Sequence, residues 1–283
     1  MTPFPEARAP RVLLAGCGDL GAHIGLRLHR QGWQVTGVKR RPPSSPLPFP
    51  VQTVDLSDPG VRRLPEADAV VVALTADRPD ADGYELAYRQ TLRGLARTLR
   101  QPPERLVFVS STSVLGDYHG ETVTEQTPAV PTRSTARVLK AAEEDARDLF
   151  PQVTILRPAG IYGPGRLRTI SKVQRAEVAD HALMTNRIHR DDLVSAAVAL
   201  LETPQIVPLV HVVDRQPAPL GDVLRFIAST LGVPVPPHAG PSADTRSPRG
   251  KVIDGSLVHR LLGAGGLMYP TYREGYAHVI STL

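Results

Sequence analysis

An apolar strand that runs directly into a glycine-patterned turn constrains this chain more than any other feature. The sequence predicts a buried strand at Val12–Ala15, the turn Gly16-x-Gly18-x-x-Gly21 immediately after it, and a helix at Leu20–Arg30. Gly16 permits a tight strand-to-helix bend, Gly18 lets the backbone approach a pyrophosphate, and Gly21 allows close helix–strand packing. Because the helix N-terminus adds N–H groups and a positive dipole end, the segment predicts a dinucleotide-binding turn.

The rest of the chain alternates apolar strands with amphipathic helices. Further strands are predicted at Gln34–Val38, Val51–Val54, Ala69–Leu74, Arg105–Ser110, Val153–Arg157 and Leu209–Val213. Further helices are predicted at Tyr84–Leu99, Ser134–Phe150, Asp191–Leu201 and Leu220–Leu231. Near-continuous Val, Ile and Leu strands between such helices are typical of an α/β fold with a doubly wound parallel sheet, the Rossmann fold.

The character of the sequence changes after Pro217, where prolines become frequent and no long apolar strand is present. This change predicts a smaller C-terminal substrate lobe beside the sheet domain. The expected division places residues 1–163 and 187–213 in the Rossmann domain. Residues 164–186 and 214–283 are expected to form the lobe.

Composition narrows the cellular setting and the partners. The 283 residues are 41% hydrophobic and include one cysteine, which excludes an internal disulfide framework and favours a reducing cytoplasm. The first ten residues lack the apolar core of a signal peptide, and no apolar run is long enough to span a bilayer. The net charge of +5 is dispersed and no nucleic-acid-binding pattern is present, so neither a membrane nor a nucleic acid is an expected partner.

The second predicted strand ends in three cations, Lys39, Arg40 and Arg41, with no acidic residue beside them. An acid at this position would accept from a ribose 2′-hydroxyl, whereas a guanidinium pairs with a 2′-phosphate. The segment therefore predicts NADP(H) rather than NAD(H), with Arg40 as the main contact. The alternative is a solvated basic loop that precedes a run of prolines.

Other residues are expected to line the same cofactor. Asp55, with Leu56, follows the third strand, where an acid can hydrogen-bond the adenine amino group. Leu74, Thr75 and Ala76 close the fourth strand, where small residues let the cofactor backbone pass, and Asp19 and Leu20 belong to the glycine turn itself.

Together with the glycine turn, four further segments resemble the extended short-chain dehydrogenase/reductase family, the NAD(P)-dependent epimerase/dehydratase type. They are Val109-Ser-Ser-Thr-Ser-Val-Leu-Gly116, Thr124-Glu-Gln-Thr-Pro128, Leu156-Arg-Pro-Ala-Gly-Ile-Tyr-Gly-Pro-Gly165 and Arg187-Ile-His-Arg-Asp-Asp-Leu193. The resemblance covers nearly the whole chain. It implies a bound nicotinamide cofactor, a small-molecule substrate, and a homodimer formed through the helices that follow the fourth and fifth strands.

The resemblance also implies roles for individual residues. Ser111 matches the family serine that hydrogen-bonds the reacting hydroxyl or carbonyl, and Ser110 is its cofactor-side neighbour. Pro158 and Ile161 lie on the segment that family members place beside the nicotinamide. The alternative for the serines is that they only satisfy backbone groups at a strand end.

One family motif is missing, the Tyr-x-x-x-Lys that exchanges the proton as hydride moves. One register of the corresponding helix places Thr135 and Leu139 at the pair, the other places Ala136 and Lys140 there, and neither supplies a tyrosine. Lys140 is retained as a candidate that binds the nicotinamide ribose, and a plain solvated lysine is the equal alternative.

A replacement proton donor must come from elsewhere. Tyr162 is the first candidate, because it lies on the segment placed beside the nicotinamide, and Tyr118 and His119 are the second. For each of them a packing or surface role is the alternative.

The histidines are dispersed, so no metal site is expected. Arg187 and the cations Arg246, Arg249 and Lys251 are candidates to meet an anionic substrate, although an exposed basic loop explains them equally well.

Two functions follow from these patterns. The first is an NADP(H)-dependent oxidoreductase or epimerase-like protein that acts on a small carbonyl or hydroxyl compound, with Ser111 polarising the oxygen. The second is a non-catalytic NADP(H)-binding sensor or scaffold. The retained Ser111 and Gly160–Gly165 segments favour the first, and the absent tyrosine favours the second.

Overall fold

The computed structural model describes residues 8–61, 63–239 and 249–283. In chain order its strands are β1 (Arg11–Ala15), β2 (Gln34–Lys39), β3 (Val51–Thr53), β4 (Ala69–Val72), β5 (Arg105–Val109), β6 (Thr122–Val123), β7 (Val153–Pro158), β8 (Gly160–Tyr162), β9 (Met184–Thr185), β10 (Arg187–His189), β11 (Leu209–Val212), β12 (Ala218–Pro219) and β13 (Val252–Ile253). Its α-helices are α1 (Asp19–Arg30), α2 (Ala81–Tyr84), α3 (Thr91–Thr98), α4 (Ser134–Leu149), α5 (Arg168–Gln174), α6 (Arg190–Glu202), α7 (Leu220–Leu231), α8 (Ser256–Leu262) and α9 (Tyr272–Ser281).

Seven strands form a parallel central sheet in the order β11-β7-β5-β4-β1-β2-β3. β1 lies at its centre, with Val12 opposite Val35 of β2 on one side and Ala69 of β4 on the other. The strand order reverses between β1 and β4, which is where doubly wound sheets bind their ligands. The predicted α/β fold with a doubly wound sheet is confirmed.

The inner strands are buried on both faces, as their unbroken apolar sequences predict. Every residue of β4 and β7 is buried, and in β1 and β5 only the first residue is partly exposed. Parallel sheets require this composition, because helices cover both faces and leave no solvent-exposed side for polar residues. Strand β4 ends at Val72, two residues before its predicted end.

The described residues form two compact units. Unit 1 contains the chain from residue 8 to Val109, Ala141–Ile155 and Leu200–Pro208. Unit 2 contains Ser110–Lys140, Leu156–Ala199 and the described residues from Leu209 to Leu283. The expected Rossmann domain and substrate lobe have different boundaries and stay a prediction.

Unit 2 contains three short two-stranded sheets and a helical core of its own. The sheets pair β8 with β10, β9 with β12 and β6 with β13. Its core includes buried side chains from α5, α7 and α9, together with Tyr162 of β8. A capping box at Thr271 and Glu274 begins α9 and fixes where this helix starts.

The helix predicted at Tyr84–Leu99 is not a regular α-helix throughout. Its centre, Glu85–Gln90, is π-helical, between α2 and α3. Two contacts accompany the wider turn. The Tyr88 hydroxyl donates to the Leu74 carbonyl at 3.3 Å, and Gly94 packs so closely on Leu56 that an added Cβ would lie 1.6 Å from the Leu56 carbonyl oxygen. Tyr88 makes its contact from the π-helical part, and Gly94 makes its contact from α3.

Among the described residues, no helix combines the length and apolar character that crossing a membrane requires.

Candidate functional site

Unit 1 has a cavity of about 390 Å³ at the carboxyl ends of β1, β2, β3 and β4. This volume is within the usual range for small-molecule sites, and the location is the switch point of the sheet. The cavity brings together the predicted cofactor residues Gly16, Gly18, Lys39, Arg40, Arg41, Asp55, Leu56, Leu74 and Thr75.

The glycine turn forms one end of the cavity, and its glycines are needed for different reasons. Gly16 has φ +93°, and an added Cβ would lie 2.3 Å from the Ala73 carbonyl oxygen. A Cβ on Gly21 would lie 2.4 Å from the Gly16 carbonyl oxygen. At Gly18, in contrast, a Cβ would meet no protein atom within 4 Å. Gly16 and Gly21 therefore serve close packing, whereas Gly18 leaves open space beside the backbone, as a pyrophosphate requires.

Backbone hydrogen bonds hold this turn against the neighbouring strands. The N–H groups of Gly16 and Cys17 both donate to the Val38 carbonyl, at 3.0 and 2.9 Å, and Ala73 N–H donates to the Ala15 carbonyl at 2.9 Å. Helix α1 begins directly afterwards, with its first internal bond from Ala22 N–H to the Gly18 carbonyl. The helix N-terminus thus follows the cavity edge, where its dipole favours an anion.

The basic segment after β2 lines the cavity, but one of its cations already has a partner. Arg40 Nη1 donates to Asp77 Oδ2 at 2.7 Å, and both side chains are substantially exposed. Lys39 and Arg41 line the same cavity.

Asp55 also lines the cavity and is held in a fixed orientation. Its Oδ1 accepts hydrogen bonds from the Ser57 N–H at 2.9 Å and from the Ser57 hydroxyl at 2.6 Å. This turn presents the carboxylate to the cavity as a hydrogen-bond acceptor, the chemistry that an adenine amino group needs.

Sequence reasoning missed several wall residues: Ser44, Ser57, Asp77, Leu86, Ala87 and Thr91. Asp77 directly follows Ala76, the last residue of the predicted segment, and this position could have identified it as a cavity residue. Leu86 and Ala87 reach the wall from the π-helical turn, which hydrophobic periodicity does not reveal.

The other predicted cofactor residues do not line this cavity. Asp19, Leu20 and Gly21 belong to the first turn of α1, and Ala76 follows Thr75. Ser110, Pro158 and Ile161 belong to unit 2. There, the Ser110 N–H donates to the Leu156 carbonyl at 2.8 Å.

Ser111 begins a short 3₁₀ turn, Thr112–Leu115, in unit 2. It has extended backbone and its Oγ accepts from the Ser113 N–H at 3.1 Å. A serine hydroxyl that accepts one hydrogen bond still has its own O–H to donate. The side chain can therefore cap the turn and polarise a substrate oxygen at once.

The helix that should carry the tyrosine–lysine pair is α4. Its Ala136 and Leu139 are buried, and Thr135 and Lys140 are half-buried. The Tyr118 hydroxyl donates to the Pro128 carbonyl, and His119 is exposed with φ +50°.

Tyr162 lies in the core of unit 2. It stacks on Tyr276 with ring centroids 4.4 Å apart and contacts His189 edge-on at 5.3 Å. Its hydroxyl oxygen is buried and has no hydrogen-bond partner among the described residues. Burial raises the pKa of Tyr162, and the nearby Asp214 carboxylate raises it further.

Further polar groups are buried around Tyr162. Burial raises the pKa of Asp214 to about 7, although Arg187 opposes the shift, and Asp214 Oδ2 has no hydrogen-bond partner among the described residues. The Asp191 N–H donates to His189 Nδ1 at 3.2 Å, which leaves the His189 proton on Nε2. Burial lowers the pKa of His189 to about 4. We call Tyr162, Arg187, His189, Asp214 and Tyr276 the Tyr162 cluster.

Of the cations considered for an anionic substrate, the three that the structure describes have protein partners. Arg187 is buried and donates to the Thr185 and Gln216 carbonyls, and Arg249 pairs with Asp180 at 3.1 Å. Lys251 donates to the Gly116 carbonyl at 2.6 Å. Arg246 lies outside the described residues. Residues 8–61, 63–239 and 249–283 contain no cluster of three metal-ligating side chains.

Comparison with known proteins gives the family. The model of the NAD dependent epimerase/dehydratase family matches residues 12–214. Protein YeeZ from Escherichia coli K12 is 33% identical over 267 residues, which cover 89% of this chain and 94% of that protein. A ceramide reductase from Caulobacter vibrioides is 28% identical over 243 residues, covering 80% of this chain and 72% of that protein.

A solved structure from Methylobacillus flagellatus, assigned as an NAD-dependent epimerase/dehydratase, extends the likeness to three dimensions. It has 31% identity and a TM-score of 0.76, and the match covers 97% of this chain and 99% of that one. Sequence, fold and the glycine-lined cavity agree, and the chain belongs to the NAD dependent epimerase/dehydratase family.

Proposed function

We propose that the protein is an NADP(H)-dependent oxidoreductase or epimerase-like enzyme that acts on a small carbonyl or hydroxyl compound. The observation that carries the proposal is the cavity of unit 1, which is lined both by an open glycine turn and by the cations Lys39, Arg40 and Arg41. The turn suits a pyrophosphate and the cations suit a third phosphate, the one that distinguishes NADP(H) from NAD(H). We further propose that the protein is cytoplasmic and forms a homodimer.

The residues of the cavity divide the binding between them. The backbone at Gly18 accommodates the pyrophosphate, Asp55 accepts from the adenine amino group, and Arg40 donates to the 2′-phosphate. With a nicotinamide cofactor held by these residues, the site would have hydride-transfer chemistry available, which no side chain provides.

In unit 2, Ser111 hydrogen-bonds the substrate oxygen and stabilises the charge that develops on it. Lys140 binds the nicotinamide ribose. Tyr162 remains the predicted proton donor, although its burial and its raised pKa oppose that role.

Cofactor binding is tested by calorimetry with NADPH and NADH on nucleotide-stripped protein. We expect NADPH to bind more tightly than NADH. Arg40→Ala should weaken NADPH binding by about 30-fold, the contribution of a charge-assisted hydrogen bond, while the affinity for NADH changes little. Arg30→Ala, an exposed cation in the last turn of α1, is the matched control. Equal affinities, or an NADH preference, would contradict the NADP(H) assignment.

Turnover is tested by following NADPH oxidation with a panel of aldehydes, ketones and keto-sugars. With a substrate found, Ser111→Ala should lower kcat/KM by about 100-fold without changing the NADPH dissociation constant. Ser113→Ala, in the same 3₁₀ turn but exposed, controls for local disturbance. Equal activity of Ser111→Ala and the wild type would remove Ser111 from the mechanism.

The second candidate function is a non-catalytic NADP(H) sensor or scaffold. It is favoured by α4, where neither register carries a tyrosine and Ala136 is buried. Tight NADPH binding with no turnover across a broad panel would support this second function over the first.

A further inference from the structure

Arg40 and Asp77 both line the cavity of unit 1 and form an ion pair there. Arg40 follows β2 and Asp77 lies beyond β4, and both strands pair with β1 between them. The ends of β2 and β4 are therefore two strand spacings apart, about 10 Å. Arg40 Nη1 and Asp77 Oδ2 are 2.7 Å apart, so the ion pair connects the segment after β2 with the segment after β4.

Asp77 contacts the basic segment through Arg40. The other acid on the cavity wall, Asp55, is bound by Ser57 through its Oδ1. Nearby Asp80 and Asp82 instead face Arg78, at 3.5 and 3.8 Å, and do not line the cavity.

The Arg40–Asp77 pair is exposed enough to exchange partners. Its side chains are 39% and 53% exposed, and ion pairs at this exposure contribute little because water screens them. A phosphate dianion offers the guanidinium a stronger, bidentate partner.

We infer that Asp77 competes with the 2′-phosphate for Arg40 and is a specificity-determining residue of this cavity, an inference that rests on the proposed NADP(H) binding. Arg40 pairs with Asp77 before the cofactor binds and transfers to the 2′-phosphate when NADP(H) enters. The carboxylate then remains beside a dianion and repels it. NADH has no 2′-phosphate, so the pair stays intact with that ligand.

Asp77 therefore lowers the affinity for NADP(H) below what the three cations would give, and it narrows the preference for NADP(H) over NAD(H). Asp77 directly follows the segment Leu74–Ala76, after the fourth strand. Cofactor specificity would then depend on a residue outside the second strand as well as on Arg40.

The experiment measures calorimetric dissociation constants of four ligands for the full chain: NADPH, NADH, adenosine 2′,5′-bisphosphate and ADP. The two fragments differ in where a phosphate is attached and contain no nicotinamide, so they probe the cavity of unit 1 directly. Asp77→Asn should tighten the binding of NADPH and of adenosine 2′,5′-bisphosphate by about threefold to tenfold, the effect of removing one screened charge. The dissociation constants of ADP and NADH should not change.

Asp82→Asn is the matched control, because it removes the same charge from a side chain that is 91% exposed and outside the cavity wall. It should change none of the four dissociation constants. Thermal unfolding of both variants should match that of the wild type, since Asp77 and Asp82 are exposed.

Failure of the inference and failure of the proposed function have different signatures. If the wild type prefers NADPH and Asp77→Asn changes all ligands equally or none, the inference is overturned and the proposed function stands. If the wild type prefers NADH and Asp77→Asn shifts it toward NADPH, the inference is supported and the NADP(H) assignment is overturned. If the folded wild type binds none of the four ligands, both are overturned.

Discussion

The cavity of unit 1 and the Tyr162 cluster of unit 2 both gather residues that the sequence marks as functional, yet their environments are opposite. In the cavity, a glycine faces open space and the Arg40–Asp77 pair is partly solvated. In the cluster, the Tyr162 hydroxyl and Asp214 Oδ2 are buried with no hydrogen-bond partner among the described residues. The difference teaches that family-like motifs can place one residue at an open cavity and another in a core.

The largest expected effect on stability is at Gly16, in the glycine turn of the unit 1 cavity. Gly16→Val should destabilise unit 1 by roughly 5 kcal/mol, because a β-branched side chain opposes positive φ and its Cβ overlaps the Ala73 carbonyl. Denaturant unfolding, or the loss of folded protein, measures the effect.

Gly18→Ala, two residues later, tests the contrast between the packed Gly16 and the open Gly18. Its Cβ meets no protein atom within 4 Å, so stability should change by less than about 1 kcal/mol while NADPH affinity falls. Equal loss of stability in both variants would show that the turn is packed throughout and does not form an open cradle.

The Tyr162 cluster should make the free energy of unfolding depend on pH. Asp214 has a pKa near 7 in the folded protein and about 3.9 when unfolded, so between these values the folded state holds the extra proton. Its contribution to the free energy of unfolding is complete below pH 4 and is lost as pH rises through 7, by at most about 4 kcal/mol.

His189 and His211 act in the opposite direction. Burial lowers both of their pKa values to about 4, so their contribution to stability increases from pH 4 to about 6.5. The measurement is therefore the difference between the wild type and Asp214→Asn in denaturant unfolding from pH 4 to 8. Parallel curves would show that Asp214 is ionised in the folded protein.

The smallest expected effect on stability is that of Tyr162→Phe, which distinguishes a packing role of Tyr162 from a catalytic one. Tyr162→Phe removes a buried hydroxyl that has no hydrogen-bond partner among the described residues, so the free energy of unfolding should stay the same or rise by about 1 kcal/mol. Tyr162→Ala should cost about 3 to 5 kcal/mol, because it empties a site packed against Tyr276.

Activity gives the second measurement on Tyr162→Phe. If Tyr162 only packs, the variant should retain the activity of the wild type on any substrate that the panel identifies. A large loss of kcat with unchanged stability would instead establish the hydroxyl as the proton donor.

The sequence by itself determined the doubly wound sheet and much of the cavity. Strand composition and the Gly16–Gly21 spacing are local signals, and the carboxyl ends of neighbouring parallel strands must meet at one edge. Lys39, Arg40 and Leu74 were found this way because each directly follows a strand or ends a predicted one.

Only the tertiary structure decided which side chains face each other and which are buried. Arg40 pairs with Asp77 from the segment beyond β4, the π-helical turn brings Leu86 and Ala87 to the cavity wall, and Gly275 packs against the Tyr162 hydroxyl. These are contacts between residues far apart in sequence or products of irregular helix geometry. No periodicity encodes them, because periodicity specifies the face of an element and not the partner opposite it.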